Sequence, residues 1–201
     1  MNKIVKNALV LMAFSLVLGF VLGAVYKITE EPIAEANRKK EMAAYKVVFE
    51  NADDFKEIAN FDANAANAII ADYPDTVNGA LEAVDASGNV IGHVITLTTK
   101  DGYGGGIVLT VGIQNDGTVN GFSVVSYGGE TIYKAFEPAF ADQFAGKSCE
   151  SYVVTKATPA ADNEIQAITG STITSDAVTG GVNTGLAYYR ELLNITGGEL
   201  K

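Results

Sequence analysis

Ile107-Val108-Leu109-Thr110-Val111-Gly112-Ile113 runs into Gln114-Asn115-Asp116-Gly117, and a second apolar run follows from Val119 to Ser126. Ile107, Leu109, Val111 and Ile113 alternate with Val108, Thr110 and Gly112. That period of two is the signature of a half-buried antiparallel strand. An Asp-Gly dipeptide between two such runs marks a hairpin, because its turn needs residues that tolerate positive φ. Just upstream the pattern repeats. Leu81–Val84 and Val90–Thr98 flank the turn Asp85-Ala86-Ser87-Gly88-Asn89. Between the two hairpins lies Lys100-Asp101-Gly102-Tyr103-Gly104-Gly105-Gly106. Its glycines allow close backbone approach or positive φ. They suit a loose hairpin loop equally well, and alone they are weak grounds for a phosphate site.

Outside this β-rich block the chain reads as helical. Phe55 to Tyr73 is alanine-rich and partly helical, broken at Pro74. Tyr133 to Phe144 reads as helical turns that Pro138 starts or bends, and Val153–Thr155 as a short strand. Ser175 to Leu193 reads as an amphipathic helix, with Val178, Val182, Leu186 and Tyr189 at three- and four-residue spacing. Glu30 to Phe49 is charged and helix-prone. Ala34, Ala43, Ala44, Tyr45 and Val48 would make its apolar face, and Pro32 would sit in its first turn. These elements predict an α+β protein: one N-terminal transmembrane helix, then a single domain with a mostly antiparallel sheet and flanking helices.

From Asn7 to Tyr26 no residue is charged. A membrane-spanning helix needs about 20 apolar residues, so this stretch suffices. Lys3 and Lys6 precede it, which favours a cytoplasmic N-terminus; Lys27 and Arg38-Lys39-Lys40 blunt the asymmetry. A cleaved signal peptide is the competing reading, but Val21-Leu22-Gly23 makes a poor cleavage site. The expected organisation is an anchor helix with a short cytoplasmic start over residues 1–27, a stalk over 28–50 and an extracytoplasmic domain over 51–201. Gly19 and Gly23 would permit close approach of another helix, a spacing also frequent by chance.

Composition removes several classes of function. The 201 residues carry 14 Lys and Arg against 24 Asp and Glu, a net charge of −10. With no basic patch beyond Arg38-Lys39-Lys40, nucleic acid is not an expected partner. A single cysteine, Cys149, excludes an intramolecular disulfide, a CxxC pair and a Cys-ligated iron–sulfur cluster. The lone histidine, His93, lies in a strand-like run and reads as a packed residue rather than a metal ligand. No Gly-x-Ser-x-Gly surrounds any serine. Asp53-Asp54 and Glu30-Glu31 read as solvated faces, and no catalytic residue set or metal site is expected. Redox chemistry, if any, needs a cofactor held without a Cys or His cage, a condition that flavin meets.

One stretch carries chemistry. Thr169-Gly170-Ser171-Thr172-Ile173-Thr174 crowds four hydroxyls around a glycine, directly before the last helix. The first N–H groups of a helix lack internal partners and carry partial positive charge, so such a turn can hold a phosphate. The same residues would equally serve as an ordinary N-cap.

This stretch resembles the Ser/Thr-Gly-Ala-Ser/Thr-x-Ser/Thr motif of the FMN-binding domain family, with Ser171 where alanine is usual. The resemblance implies that Thr172 carries FMN through a phosphoester, with Thr169, Gly170, Ser171 and Thr174 around the phosphate. Further pieces widen it: Thr29-Glu30-Glu31-Pro32-Ile33, Tyr45-Lys46-Val47-Val48-Phe49, Asp101-Gly102-Tyr103-Gly104-Gly105, and Glu137-Pro138-Ala139-Phe140 with Gln143-Phe144. In this order they resemble the G subunit of Rnf complexes, membrane-bound ferredoxin:NAD oxidoreductases that couple electron flow to ion transport. The C subunit of the sodium-pumping NADH:quinone reductase is a relative, expected to be longer. Tyr103, Gly104, Gly105, Glu130 and Thr131 are implied as further cofactor contacts. The family usually has Glu-Thr-Pro-Gly-Leu-Gly where this chain has Glu130-Thr131-Ile132-Tyr133. Ile132 or Tyr133 would then cover the flavin ring.

The implied function is electron relay through covalent FMN within an Rnf-type complex. The implied partners are other membrane subunits, including a second flavin-carrying subunit, and a flavin transferase that uses FAD and Mg²⁺. Two rivals remain open from the sequence: a stand-alone flavinylated domain of another electron chain, and an anchored binding module whose hydroxyl turn is only a helix cap.

Overall fold

The computed structural model describes residues 3–59, 61–128 and 137–196. They form two units, divided between Glu41 and Met42. The first is helical throughout and belongs to α1 (Lys3–Val48). Its apolar residues are uncovered on every side: Leu11, Phe14, Leu16, Phe20 and Leu22 are all exposed. By length and composition this helix is long and apolar enough to cross a membrane. Pro32 lies inside this continuous helix, not in the first turn of a separate stalk helix. Proline cannot donate to the Ile28 carbonyl, so one backbone bond is forfeited there while the helical bonds on either side carry the chain through.

The second unit contains the end of α1, then β1 (Asp54–Glu57), α2 (Ala63–Ile69), β2 (Thr76–Val84), β3 (Val90–Thr99), β4 (Ile107–Gln114) and β5 (Val119–Tyr127). After these come α3 (Pro138–Ala141), β6 (Val153–Thr155), β7 (Glu164–Gln166) and α4 (Thr172–Thr196). Strands β1 to β5 form one antiparallel meander in chain order, and β6 and β7 form a separate parallel pair. The architecture is α+β. Both hairpins close as the turn residues dictate. Asp85 Oδ1 accepts from the Ser87 and Asn89 N–H groups at 2.8 and 2.9 Å, and Gly88 takes φ +83°. Asp116 Oδ1 accepts from the Thr118 N–H at 2.9 Å, and Gly117 also takes φ +83°.

Strand alternation sorts the sheet into two faces. Ile95, Leu97, Ile107, Leu109, Val111 and Ile113 meet Val178, Val182, Leu186 and Tyr189 of α4 in the main core. Phe144 lies at the centre of an aromatic group in this core, with ring centroids 5.3 Å from Phe122, 5.6 Å from Phe140 and 5.2 Å from Tyr152. A smaller core joins Tyr45, Val48 and Phe49, where α1 ends, to Ala83 and Val94. Gly112 permits that contact: a Cβ there would lie 2.7 Å from Val48 Cβ. Ala44, Tyr45 and Val48 are buried as the helical spacing predicts, whereas Ala34 and Ala43 are exposed.

Two asparagines tie helices to neighbouring backbone. Asn67 of α2 pairs with both the N–H and the carbonyl of Val77, at 2.8 and 2.9 Å. Asn183 of α4 does the same for Tyr152, at 2.8 and 2.9 Å. Deeper in, the Thr184 hydroxyl donates to Asp75 Oδ2 at 2.6 Å, and Asp75 Oδ1 is buried with no partner among the described residues. His93, 9 % exposed, packs its ring 5.4 Å from that of Tyr189. Burial pushes the His93 pKa below its ordinary value, opposed by the nearby Glu82 carboxylate. Among the described residues no group of His, Cys, Asp and Glu could hold a metal ion.

Candidate functional site

The chain leaves β7 and makes a tight turn before α4. The Ser171 N–H donates to the Ile168 carbonyl at 2.9 Å, and Gly170 takes φ +78°. A Cβ on Gly170 would meet nothing within 4 Å, so glycine is needed there for its backbone conformation and not for room. The Ser175 N–H then donates to the Ser171 carbonyl at 3.0 Å, the first helical bond. Ser171 is therefore the N-cap, and Thr172, Ile173 and Thr174 form the first turn. Helical geometry leaves their N–H groups without intrahelical acceptors. The sequence suggests a helix starting at Ser175; the structure starts it three residues earlier and brings the motif into the helix terminus itself.

The Ser175 side chain closes the turn. Its Oγ accepts the Ile168 N–H at 2.9 Å and donates to the Ser171 carbonyl at 3.0 Å, and the residue is fully buried. Sequence reasoning treats Ser175 only as the opening of the helix. Its position four residues after Ser171, within reach of that carbonyl, is the signal that points to more.

The turn borders an open cleft of about 500 Å³, lined by Tyr103, Gly170, Ser171, Thr172, Ile173 and Thr174, within the range of about 300–1,000 Å³ usual for small-molecule sites. Thr172 and Ser171 are half-buried, Ile173 is exposed, and Thr174 is 2 % exposed. Tyr103 reaches this cleft from the β3–β4 loop and is 73 % exposed, an uncovered aromatic face at the rim. Thr169 stands exposed on the turn but is not part of the lining. Gly104 and Gly105 do not line the cleft either. They carry the Tyr103 loop past the end of β5, where the Gly104 carbonyl lies 2.9 Å from the place of a Cβ on Gly128. Glu130 and Thr131, with Ile132 and Tyr133, lie outside the described residues. Among the described residues no Lys or Arg lines the cleft. Two other clefts, of about 430 and 250 Å³, lie among different residues: the first around Val48, Phe49 and Asn120, the second around Cys149 and Arg190.

The donor set suits a phosphate ester. Ser171, Thr172, Ile173 and Thr174 line the cleft at the N-terminus of a 25-residue helix, and with them come hydroxyl groups, three N–H groups that lack intrahelical acceptors and the positive end of the helix dipole. Residues 102–187 match the model of the FMN-binding domain, and residues 1–48 match that of the RnfG N-terminal region. The G subunit of the Na⁺-translocating ferredoxin:NAD⁺ oxidoreductase complex of Acetobacterium woodii is 34 % identical over 93 % of this chain and 92 % of its own length. The chain belongs to the G-subunit family of Rnf-type oxidoreductase complexes. The G subunit of the proton-translocating complex of Clostridium ljungdahlii is 32 % identical over 90 % of this chain and 87 % of its own. In this family, then, the G subunit serves complexes named for either ion. The crystal structure of Shewanella oneidensis NqrC has a TM-score of 0.49 and 19 % identity, covering 60 % of this chain and 61 % of that one.

Proposed function

We propose that this chain carries electrons within an Rnf-type ferredoxin:NAD oxidoreductase complex, through FMN attached by a phosphoester to Thr172. The observation that carries the reading is the position of Thr172: first residue of α4, half-buried, in the lining of a cleft within the FMN-binding match. FMN supplies one- and two-electron redox chemistry that no side chain here provides. Ser171 and the free N–H groups of Thr172, Ile173 and Thr174 would hold the phosphate oxygens, and Thr169 would stand beside them on the exposed side of the turn. Tyr103 would offer an aromatic face to a planar heteroaromatic ring. Gly104 and Gly105 would keep its loop in place, with Glu130 and Thr131 completing the site.

The absence of Lys and Arg from the lining among the described residues gives a reason for a covalent bond. Each exposed interaction with a helix end is worth only about 0.3–1 kcal/mol. A phosphate held by such contacts alone would exchange with solvent; an ester to Thr172 cannot. A separate flavin transferase would make the ester. The chain itself would anchor the group, with residues 1–27 in the membrane, 28–50 as stalk and 51–201 on the extracytoplasmic side. Lys3 and Lys6 would stay in the cytoplasm. Its electron-transfer partners would be other membrane subunits, one of them carrying a second flavin. A stand-alone flavinylated domain is less favoured, because the likeness to Rnf G subunits runs from the N-terminal helix through the last one.

Intact-mass measurement and peptide mapping of protein from native membranes test the attachment. The expected result is an added FMN less water on the peptide holding Thr172, lost in Thr172→Val. An unmodified peptide from native membranes would overturn the reading and favour a binding module without cofactor.

A further inference from the structure

We infer that Ser175, outside the hydroxyl motif, is the positioning residue that makes Thr172 a competent acceptor for flavin; this rests on the attachment proposed above. The turn from Ile168 to Ser175 has two ends, and the Ser175 side chain holds both. Its oxygen takes the Ile168 N–H that enters the turn, at 2.9 Å, and its proton goes to the Ser171 carbonyl that caps the helix, at 3.0 Å. The hydroxyl is thereby used as donor and acceptor inside the protein. The residue has no exposed surface, so it is itself not the group that is modified. The neighbouring residues Ser171 and Thr172 border the cleft.

The chemistry that needs this order is phosphoryl transfer. The Thr172 oxygen forms a bond to the flavin-side phosphorus of FAD as the bridging P–O bond breaks. AMP leaves with that electron pair, and the hydroxyl proton passes to solvent or to a base of the transferase. Such a displacement requires the attacking oxygen, the phosphorus and the leaving oxygen roughly in line. Gly170 at φ +78° makes the turn possible but does not hold it shut. Without the Ser175 hydroxyl the Ile168 N–H loses its acceptor, which favours conformers that open the turn toward water. The acceptor reacts in proportion to the fraction of chains with the turn closed.

The test uses the full chain in detergent micelles, incubated with a flavin transferase, FAD and Mg²⁺, and follows FMN loading by intact mass. Ser175→Ala is compared with wild type. Ser175→Thr and Ser175→Val form a second pair of nearly equal shape, so any steric cost in this buried site is common to both. Loading about tenfold or more slower in Ser175→Ala is expected, with Ser175→Thr loading faster than Ser175→Val by a similar factor at matched thermal midpoints. Equal loading rates within each pair overturn the inference while leaving the Thr172 ester intact. A wild-type chain that takes up no FMN at Thr172, under conditions that load a G subunit from another Rnf complex, overturns both.

Discussion

Gly112→Ala probes the place where α1 is joined to the sheet. A Cβ at this position would stand 2.7 Å from Val48 Cβ and 3.0 Å from the Val48 carbonyl oxygen. Carbon atoms in good contact are about 3.5–4.0 Å apart, so the end of α1 must retreat by roughly 1 Å. That oxygen also accepts from Asn120 Nδ2 at 3.0 Å, and the retreat lengthens this bond. Overpacking of this kind costs about 1–3 kcal/mol. With about 2–4 °C per kcal/mol for a domain of this size, the thermal midpoint should fall by roughly 2–12 °C. Gly79→Ala is the matched control: a Cβ there meets nothing within 4 Å and its φ is not left-handed. It should be neutral, or stabilising by up to about 1 kcal/mol through the unfolded chain. Circular dichroism melts of both variants in micelles decide the matter. FMN loading should be unchanged in both, because α4 lies on the opposite face of the sheet. Indistinguishable midpoints for the two variants would refute the claim that Gly112 is set by close packing.

Two further substitutions probe the buried polar groups. His93 is the sole histidine, and burial lowers its pKa below 6.5 in the folded chain. Its contribution is therefore complete above about pH 6.5 and is lost as pH falls toward the folded value, because the unfolded chain takes the proton first. His93→Gln should lose less of its urea midpoint than wild type between about pH 7.5 and about pH 5.5; equal losses would sink this account. Thr184→Val removes the only described partner of the Asp75 carboxyl and should cost about 1–3 kcal/mol in urea denaturation. Adding Asp75→Leu to Thr184→Val should restore part of that loss, since a buried polar pair replaced by apolar residues of similar size is often tolerated.

Much of the fold could be read from local signals. The Asp116-Gly117 hairpin, the strand at Val153 and the buried stripe Val178, Val182, Leu186 and Tyr189 each carry their own pattern. What could not be read depends on partners distant in sequence. β2 starts at Thr76 rather than Leu81, because the structure extends the strand through Asn78-Gly79 by a register shift opposite Leu97 and Thr96. Asn67 further secures Val77 from α2. β1 has a single apolar residue, Phe55, and exists because Asp54–Glu57 finds Leu81–Val84 beside it. β7 is similar, with Ile165 its one apolar residue, paired in parallel with β6. At the candidate site, hydroxyl residues favour turns and caps over helix interiors, so Thr172–Thr174 read as lying before the helix. The position of the first helical bond at Ser171 was not legible; the arrival of Tyr103 at the same cleft, from a loop some seventy residues away, was implied by the family resemblance and by no local pattern.

The two bonds of Ser175 bear on when a chain can mature. The strands of the meander come early in synthesis, but the cradle requires the last long helix to be wound and laid across β3 and β4. A chain stalled before that point would have a sheet and no acceptor. If Thr172 carries flavin as proposed, that flavin would act as a certificate of completion, granted only to molecules in which α4 is wound. The yellow colour of a preparation, divided by its protein content, would count those molecules directly.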